Sequence, residues 1–217
     1  MFERLNTGGQ QLNAQELRNC LYAGPFNELL IKLSRLRLFT DIWDIPAYED
    51  NVDKHGNISE DLRNNQRFRR MQDCEIVLRF FAFRKRSNIK GSVRAMLDRS
   101  MMEHLHVNET GVVSLEKDFT DRLKLAVDLF GNRAFRFQDD EGRWQLSVPL
   151  YDGIMVAVDR LWESRKQLLS SKAEVAQKVV SVLKNEAAFE VIVGRPNTAN
   201  AVQRRMDVLT KAIESAV

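Results

Sequence analysis

Cysteine is scarce: Cys20 and Cys74 are the two in 217 residues, and they lie far apart in the chain. That excludes a disulfide scaffold and a Cys-rich zinc site, and a reducing, cytoplasmic setting is expected. Long apolar runs are missing as well. The least charged stretch, Leu146 to Ala157, stops far short of the ~20 residues that span a bilayer, so no membrane association is expected. The opening Met1-Phe2-Glu3-Arg4-Leu5-Asn6 has neither the basic start nor the apolar core of a secretory signal. Charge of one sign is also lacking: 33 basic against 30 acidic side chains leave +3, too little to argue for a nucleic-acid partner. What remains is an ordinary globular composition, 44% hydrophobic and 29% charged. The length suits one sizeable domain or two small ones.

The near-zero balance hides two opposed blocks. Between Asp41 and Asp61, seven acids (Asp41, Asp44, Glu49, Asp50, Asp53, Glu60, Asp61) face Lys54 alone. Between Arg63 and Arg94, ten basic residues (Arg63, Arg67, Arg69, Arg70, Arg79, Arg84, Lys85, Arg86, Lys90, Arg94) face Asp73 and Glu75. Lys and Arg in such a block can bind phosphates and release counterions from nucleic acid. The block can equally be a solvated face, or be neutralised by the acidic segment folding back on it.

Hydrophobic spacing reads mostly as helix. Asn13 followed by Glu16 predicts a capping box and a helix to about Ala23, ended by Gly24-Pro25. Phe26, Leu29, Leu30, Leu33 and Leu36 give a second amphipathic helix, and Pro46 to Asn57 reads as a surface loop. Ser59 is expected to cap one long helix running through Phe68, Met71 and the apolar segment Ile76 to Phe83. Arg79 interrupts that apolar surface and needs an acidic partner from another element, since Asp73 and Glu75 are poorly placed. Further helices are predicted over Ile89–His106, Leu115–Asn132 and Leu150–Trp162, then one or two over Lys166–Ala188. Phe135 to Val148 reads as a β-hairpin around Asp-Asp-Glu-Gly. Gly194 to Thr198 is a turn, and Thr198 or Asn200 caps a last helix carrying Val202, Met206, Leu209 and Ile213. The expected fold is therefore mostly α, a multi-helix bundle-like domain with one short hairpin and an N-terminal orphan strand.

Catalytic signatures are missing. His104 and His106 point to opposite faces of a helix and cannot share a metal. No phosphate-loop, nucleophile-elbow or His/Asn/His nuclease pattern occurs, so neither a self-contained catalytic site nor a metal centre is expected. One segment stands out: Phe2 to Gly9 reads as a short strand entering a glycine turn before the Asn13-capped helix. Arg4, Asn6, Thr7 and the backbone of Gly8 and Gly9 form a set suited to phosphate oxygens. The same residues also suit a turn that simply orders a strand-helix junction.

Phe2-Glu3-Arg4-Leu5-Asn6-Thr7-Gly8-Gly9, continuing to Asn19, resembles the middle of proteins related to the N-terminal domain of GmrSD restriction endonucleases. These are ParB-like proteins marked by a DGQQR sequence. Arg70 to Ala82 is similar to that family's downstream helix, and Pro149 to Val156 and the closing Asn197-Thr198 helix extend the resemblance. It covers nearly the whole chain but only the later half of a family protein. Gly9-Gln10-Gln11-Leu12 lacks both the Asp and the Arg of DGQQR, and the family's HNH-type nuclease domain is absent from this chain.

The resemblance implies a place in phage defence or restriction of foreign DNA. It implies that Arg4, Asn6, Thr7, Gly8 and Gly9 close one side of a nucleotide pocket, while Arg70, Asp73 and Arg79 order the helical lobe. Residues 1–24 would then be the strand-turn-helix remnant of a ParB-like domain and 25–217 a helical domain. A lone strand with unpaired backbone groups is a poor terminus for a complete domain. A truncated, split or late-started gene product is therefore expected, its first dozen residues disordered or paired with another chain. Three functions stand open: a DNA- or partner-binding scaffold, inactive alone; half of an NTPase or nuclease completed by a DGQQR-bearing half; and a stand-alone helical interaction protein. The first draws on Arg69, Arg70, Arg84, Lys85, Arg86 and Lys90 for nucleic acid. The second needs nucleoside triphosphate with magnesium and a ParB-like half or nuclease subunit, since this chain carries no cofactor of its own.

Overall fold

The computed structural model describes residues 11–194 and 197–217. The expected N-terminal strand and the Arg4 to Gly9 turn fall on residues 1–10, outside the described residues. The fold is mostly α, with one two-stranded antiparallel hairpin among the described residues.

Local chemistry sets the first elements. Asn13 accepts hydrogen bonds from the amides of Gln15 and Glu16, and the Glu16 carboxylate accepts from the Asn13 amide, so the capping box starts α1 (Ala14–Leu21) as the sequence predicts. Pro25 opens α2 (Pro25–Ser34), which buries Phe26, Leu29, Leu30 and Leu33. A short α3 (Arg37–Ile42) follows. The 46–57 segment contains a 3-10 turn at Tyr48–Asp50 and an isolated bridge between Val52 and Ile58.

The single long helix expected after Ser59 is three helices instead: α4 (Glu60–Asn64), α5 (Gln66–Arg69) and α6 (Gln72–Arg84). Asn65 adopts an extended backbone and its side chain caps α5 by accepting from the Phe68 amide. Met71 then takes a left-handed conformation, φ +52°, which no helix continues through. Hydrophobic spacing survives both breaks, so periodicity alone does not reveal them.

Capping also moves other boundaries. Ser92 starts α7 (Val93–Glu103) later than Ile89, after a 3-10 turn at Arg86–Asn88 and the positive-φ Gly91. Asn108 starts α8 (Glu109–Phe130) earlier than Leu115, accepting from the Gly111 amide. The hairpin pairs β1 (Arg136–Gln138) with β2 (Trp144–Leu146). Its turn is organised by Asp139, whose carboxylate accepts from the Arg143 and Glu141 amides and from the Gln145 side chain. The Arg143 amide bond leads in holding that carboxyl down at about 2. Ser147 caps α9 (Val148–Arg160). The C-terminal segment breaks into α10 (Arg165–Ser170), α11 (Lys172–Lys184) and α12 (Glu186–Ile192) rather than one or two helices, with Asn185 capping α12. Thr198 caps α13 (Ala199–Glu214).

At the centre, α9 packs against α6, α8 and α13. Phe26, Phe80, Phe81 and Phe119 interlock edge-on and stacked in this core. Trp43, Phe135 and Tyr151 do so as well, and Phe39 joins the two sets through Trp43 and Phe119. The partner that Arg79 requires is Asp152 on α9, completely buried. Arg79 Nε donates to Asp152 Oδ1 at 2.8 Å and Nη2 donates to Oδ2. Glu75, one turn earlier on α6, is only a peripheral neighbour at 3.9 Å. From the other side Arg205 of α13 approaches Asp152 at 3.9 Å and donates from Nε to the Ile192 carbonyl at 2.8 Å. Burial acts against the Arg79 charge, and the Asp152 carboxylate outweighs it, so the net shift of Arg79 is upward. Burial lowers Arg205, with Asp152 opposing.

Gly153, beside Asp152, marks how closely α9 and α13 approach. A Cβ there would stand 2.3 Å from Leu209 Cδ1 and 3.4 Å from Arg205 Cγ. Gly153→Ala is expected to lower unfolding free energy by about 1–2 kcal/mol, because overpacking exceeds the gain in helix propensity. In a Leu209→Ala background, where room exists, the same substitution is expected to be neutral or stabilising. Urea midpoints of the four proteins check this.

Candidate functional site

The basic run does not form one face. Arg69 ends α5 and Arg70 follows it, at the N-terminal end of α6; Arg84 and Lys85 lie at the opposite end, about 20 Å away along the helix. The acidic segment does not neutralise it either. Among the described residues the ion pairs of 41–61 go to Arg37 (from Asp41, Glu49 and Asp50) and to Arg136 (from Asp44).

Arg84 is structural in geometry. Its guanidinium is bidentate to Asp159 at 3.0 and 3.2 Å and donates to Asp118 at 2.7 Å. Arg122 contacts the same two acids, at 2.9 and 3.1 Å. Such a network clamps α6, α8 and α9 together and leaves little of Arg84 for a ligand. Lys85, Arg86 and Lys90, in contrast, are exposed around the turn from α6 to α7. Arg86 contacts Asp207 at 3.5 Å, while Lys85, Lys90 and the exposed Arg94 have no ion pair among the described residues. This corner is tied to α13: an antiparallel bridge joins Ser92 to Thr198, and Gln203 Nε2 donates to the Ile89 carbonyl at 3.4 Å. Because Ser92 and Thr198 are the N-caps of α7 and α13, two helix N-termini open at the same corner.

At the other end of α6 lies a cleft of about 440 Å³. Arg67, Arg70 and Arg79 line it, with Gln15, Gln72 and Glu75. Arg70 is half engaged: its Nη2 donates to the Gln11 carbonyl at 2.9 Å and sits 3.2 Å from Glu16. The Arg70 carbonyl in turn accepts from Asn13 Nδ2 at 2.8 Å. Arg18, buried behind the cleft, binds Asp98 at 2.7 Å and Glu75 at 3.2 Å, fixing α1 on α6 and α7. Arg70 and Arg79, singled out from the sequence, therefore meet here. Arg67 and Gln15 did not stand out, because nothing in the sequence separates Arg67 from the other nine cations of its run.

A smaller cavity of about 110 Å³ is lined by Asp73, Cys74, Ser34 and Arg35. Burial, then the Asp73 carboxylate, push the Cys74 thiol up to about 12, so it stays protonated and unreactive at neutral pH. Asp73 is 3% exposed, its Oδ1 lacks a hydrogen-bond partner, and burial pushes its carboxyl up to about 6. His104 stacks on Phe26 with ring centroids 4.4 Å apart. Among the described residues no group of three or more His, Cys, Asp and Glu could hold a metal ion, and no helix is long and apolar enough to cross a membrane. The positions Arg4, Asn6, Thr7, Gly8 and Gly9 lie outside the described residues. No family model matches the chain, and no curated protein or solved structure matches it either.

An acid raised from about 3.9 in the unfolded chain to about 6 in the fold stabilises fully below pH ~4, and that contribution is lost as pH rises to ~6. The loss is on the order of 3 kcal/mol. Asp73→Asn is therefore expected to gain stability over the parent progressively from pH 4 to pH 6, with a constant difference above. Urea denaturation of both proteins across pH 4–7 checks it; parallel curves would contradict the assignment.

Proposed function

We propose that this chain is the helical, non-catalytic part of a GmrSD-like restriction or phage-defence protein and that it serves as a DNA-binding scaffold. The observation carrying this reading is the corner where α7 and α13 begin. Lys85, Lys90 and Arg94 project there without counter-charges among the described residues, beside two helix N-termini. Both features favour phosphate oxygens, the first by counterion release and the second through the helix dipole. The corner offers point charges and no groove-reading motif, which fits backbone contact without sequence readout. The family assignment draws on the resemblance of residues 2–19, 70–82 and 149–156.

A second reading has its own support: half of a nucleotide-hydrolysing or nuclease site, completed by a DGQQR-bearing partner. The cleft lined by Arg67, Arg70 and Arg79, at the start of α1, favours it. Magnesium and the triphosphate would arrive with that other half.

The DNA reading is tested by titrating a labelled duplex at several salt concentrations. The parent is expected to bind with strong salt dependence. The Lys85→Ala/Lys90→Ala/Arg94→Ala variant is expected to bind more weakly, with the log–log salt slope reduced by roughly 2–3. Arg84 is left intact because it shares Asp118 and Asp159 with Arg122 in the network that clamps α6, α8 and α9. Absence of duplex binding by the parent at low salt, or an unchanged slope in the variant, would refute the reading.

A further inference from the structure

We propose that the cleft at the N-terminal end of α6 binds one small phosphate-bearing ligand, with Arg67 as its principal cation. The site lies at the opposite end of α6 from the DNA-binding corner and does not depend on that reading. It is the cleft that favours the second reading, with phosphate binding assigned to this chain alone, so its test needs no DGQQR-bearing half and fails or stands apart from nucleotide hydrolysis.

Arg67 is half-buried and lines the cleft, yet no carboxylate among the described residues pairs with it. The Trp43 ring faces it with its centroid 5.8 Å from the guanidinium carbon, a weak cation–π contact that supplies no counter-charge. A cation partly withdrawn from water without a counter-charge is a standing cost that a bound anion removes. The other two guanidiniums of the cleft are already answered, Arg70 by Glu16 and Arg79 by Asp152. Glu75, the one carboxylate among the described lining residues, faces Arg18 at 3.2 Å and Arg79 at 3.9 Å. The unneutralised charge is thus concentrated on Arg67.

A second group in the same wall points to an acceptor ligand. Gln15 is 1% exposed, its Oε1 accepts from Arg18 Nη1 at 3.2 Å, and its Nε2 has no hydrogen-bond partner among the described residues. The bond to Arg18 fixes which end of the amide is oxygen, so the unmet atom is a donor. Buried donors are rarely left orphaned.

The helices add a field of the same sign. Three of them begin at this cleft: α1 with Gln15 in its first turn, α6 with Gln72, and α9 with Val148. Met71 provides no side-chain cap for α6. On α1 the capping box already occupies two amides, so that helix contributes its dipole more than a free donor. A volume of about 440 Å³ suits a small molecule. One free guanidinium with converging dipoles matches a single phosphate or pyrophosphate group better than a polyanionic strand, which needs a row of open cations.

The test is isothermal titration of the full chain with inorganic pyrophosphate at constant ionic strength. Saturable one-to-one binding is expected. Arg67→Ala and Arg67→Gln are each expected to weaken it about tenfold or more, with partial recovery in Arg67→Lys. Neither variant leaves a partnerless acid behind, so the fold should persist, as circular dichroism would report. Lys90→Ala, at the DNA corner, is expected to leave the isotherm unchanged, so the two sites fail or stand separately. No saturable binding by the parent at millimolar pyrophosphate would overturn the proposal. So would equal affinity in the parent and a folded Arg67 variant.

Discussion

Asp152 is a carboxylate with no contact with solvent, held among the apolar residues 148–158 of α9, and the arrangement of α6, α9 and α13 depends on how it is answered. Leu150, Tyr151, Ile154, Met155 and Val158 surround it in sequence and are all buried, so α9 is apolar nearly all round. Hydrophobic burial is non-directional and leaves the rotation of such a helix poorly defined. A buried carboxylate is directional: left unpaired it is strongly destabilising, so α9 must turn Asp152 toward the Arg79 fork on α6 and the Arg205 head on α13. The absence of a side chain at Gly153, where a Cβ would stand 2.3 Å from Leu209 Cδ1, then lets α13 come close enough for Arg205 to reach. We read the triad as the register pin of the core. Replacing all of it by well-packed apolar residues need not cost stability, whereas removing one member must.

Around that pin the helices deliver two positive regions of different character. The α7/α13 corner is open, carries several exposed cations and gains from the bridge between two N-caps, a geometry for a polyanion gripped loosely. The cleft near α1 has, among the described residues, one guanidinium without a carboxylate partner and one buried donor without a hydrogen bond, and it gathers three helix N-termini, features that suit the small anion proposed for it. α6 separates the two and is clamped at both ends, by Arg18 with Glu75 and by Arg84 with Asp159 and Asp118. The same residue type thus braces the structure at positions 18, 79 and 84, while Arg67 has no acidic partner among the described residues. The sequence presents all of them simply as arginine.

Elements governed by neighbouring residues were legible. The Asn13/Glu16 box, the Pro25 start, the Thr198 cap and the hairpin around Asp139 are all i-to-i+4 chemistry. The need of Arg79 for a distant acid was legible too, because a cation in an apolar helix face has few alternatives. Its identity left a trace: Asp152 is the one charge between Leu146 and Ala157. The breaks at Asn65 and Met71 were hidden because apolar spacing continues across them. The cleft was hidden for another reason. Whether a guanidinium is spent depends on acids at separations such as Arg84 to Asp159, which a linear chain does not display.

The most direct measurement is a double-mutant cycle on Arg79→Met and Asp152→Leu, read by urea denaturation of the parent, both single variants and the double variant. A register pin predicts that each single variant loses about 3–5 kcal/mol and that the double variant recovers much of it, a coupling of about 2 kcal/mol or more. Single losses that simply add, within about 0.5 kcal/mol, would show that Asp152 does not hold α9 through Arg79 and would contradict the account.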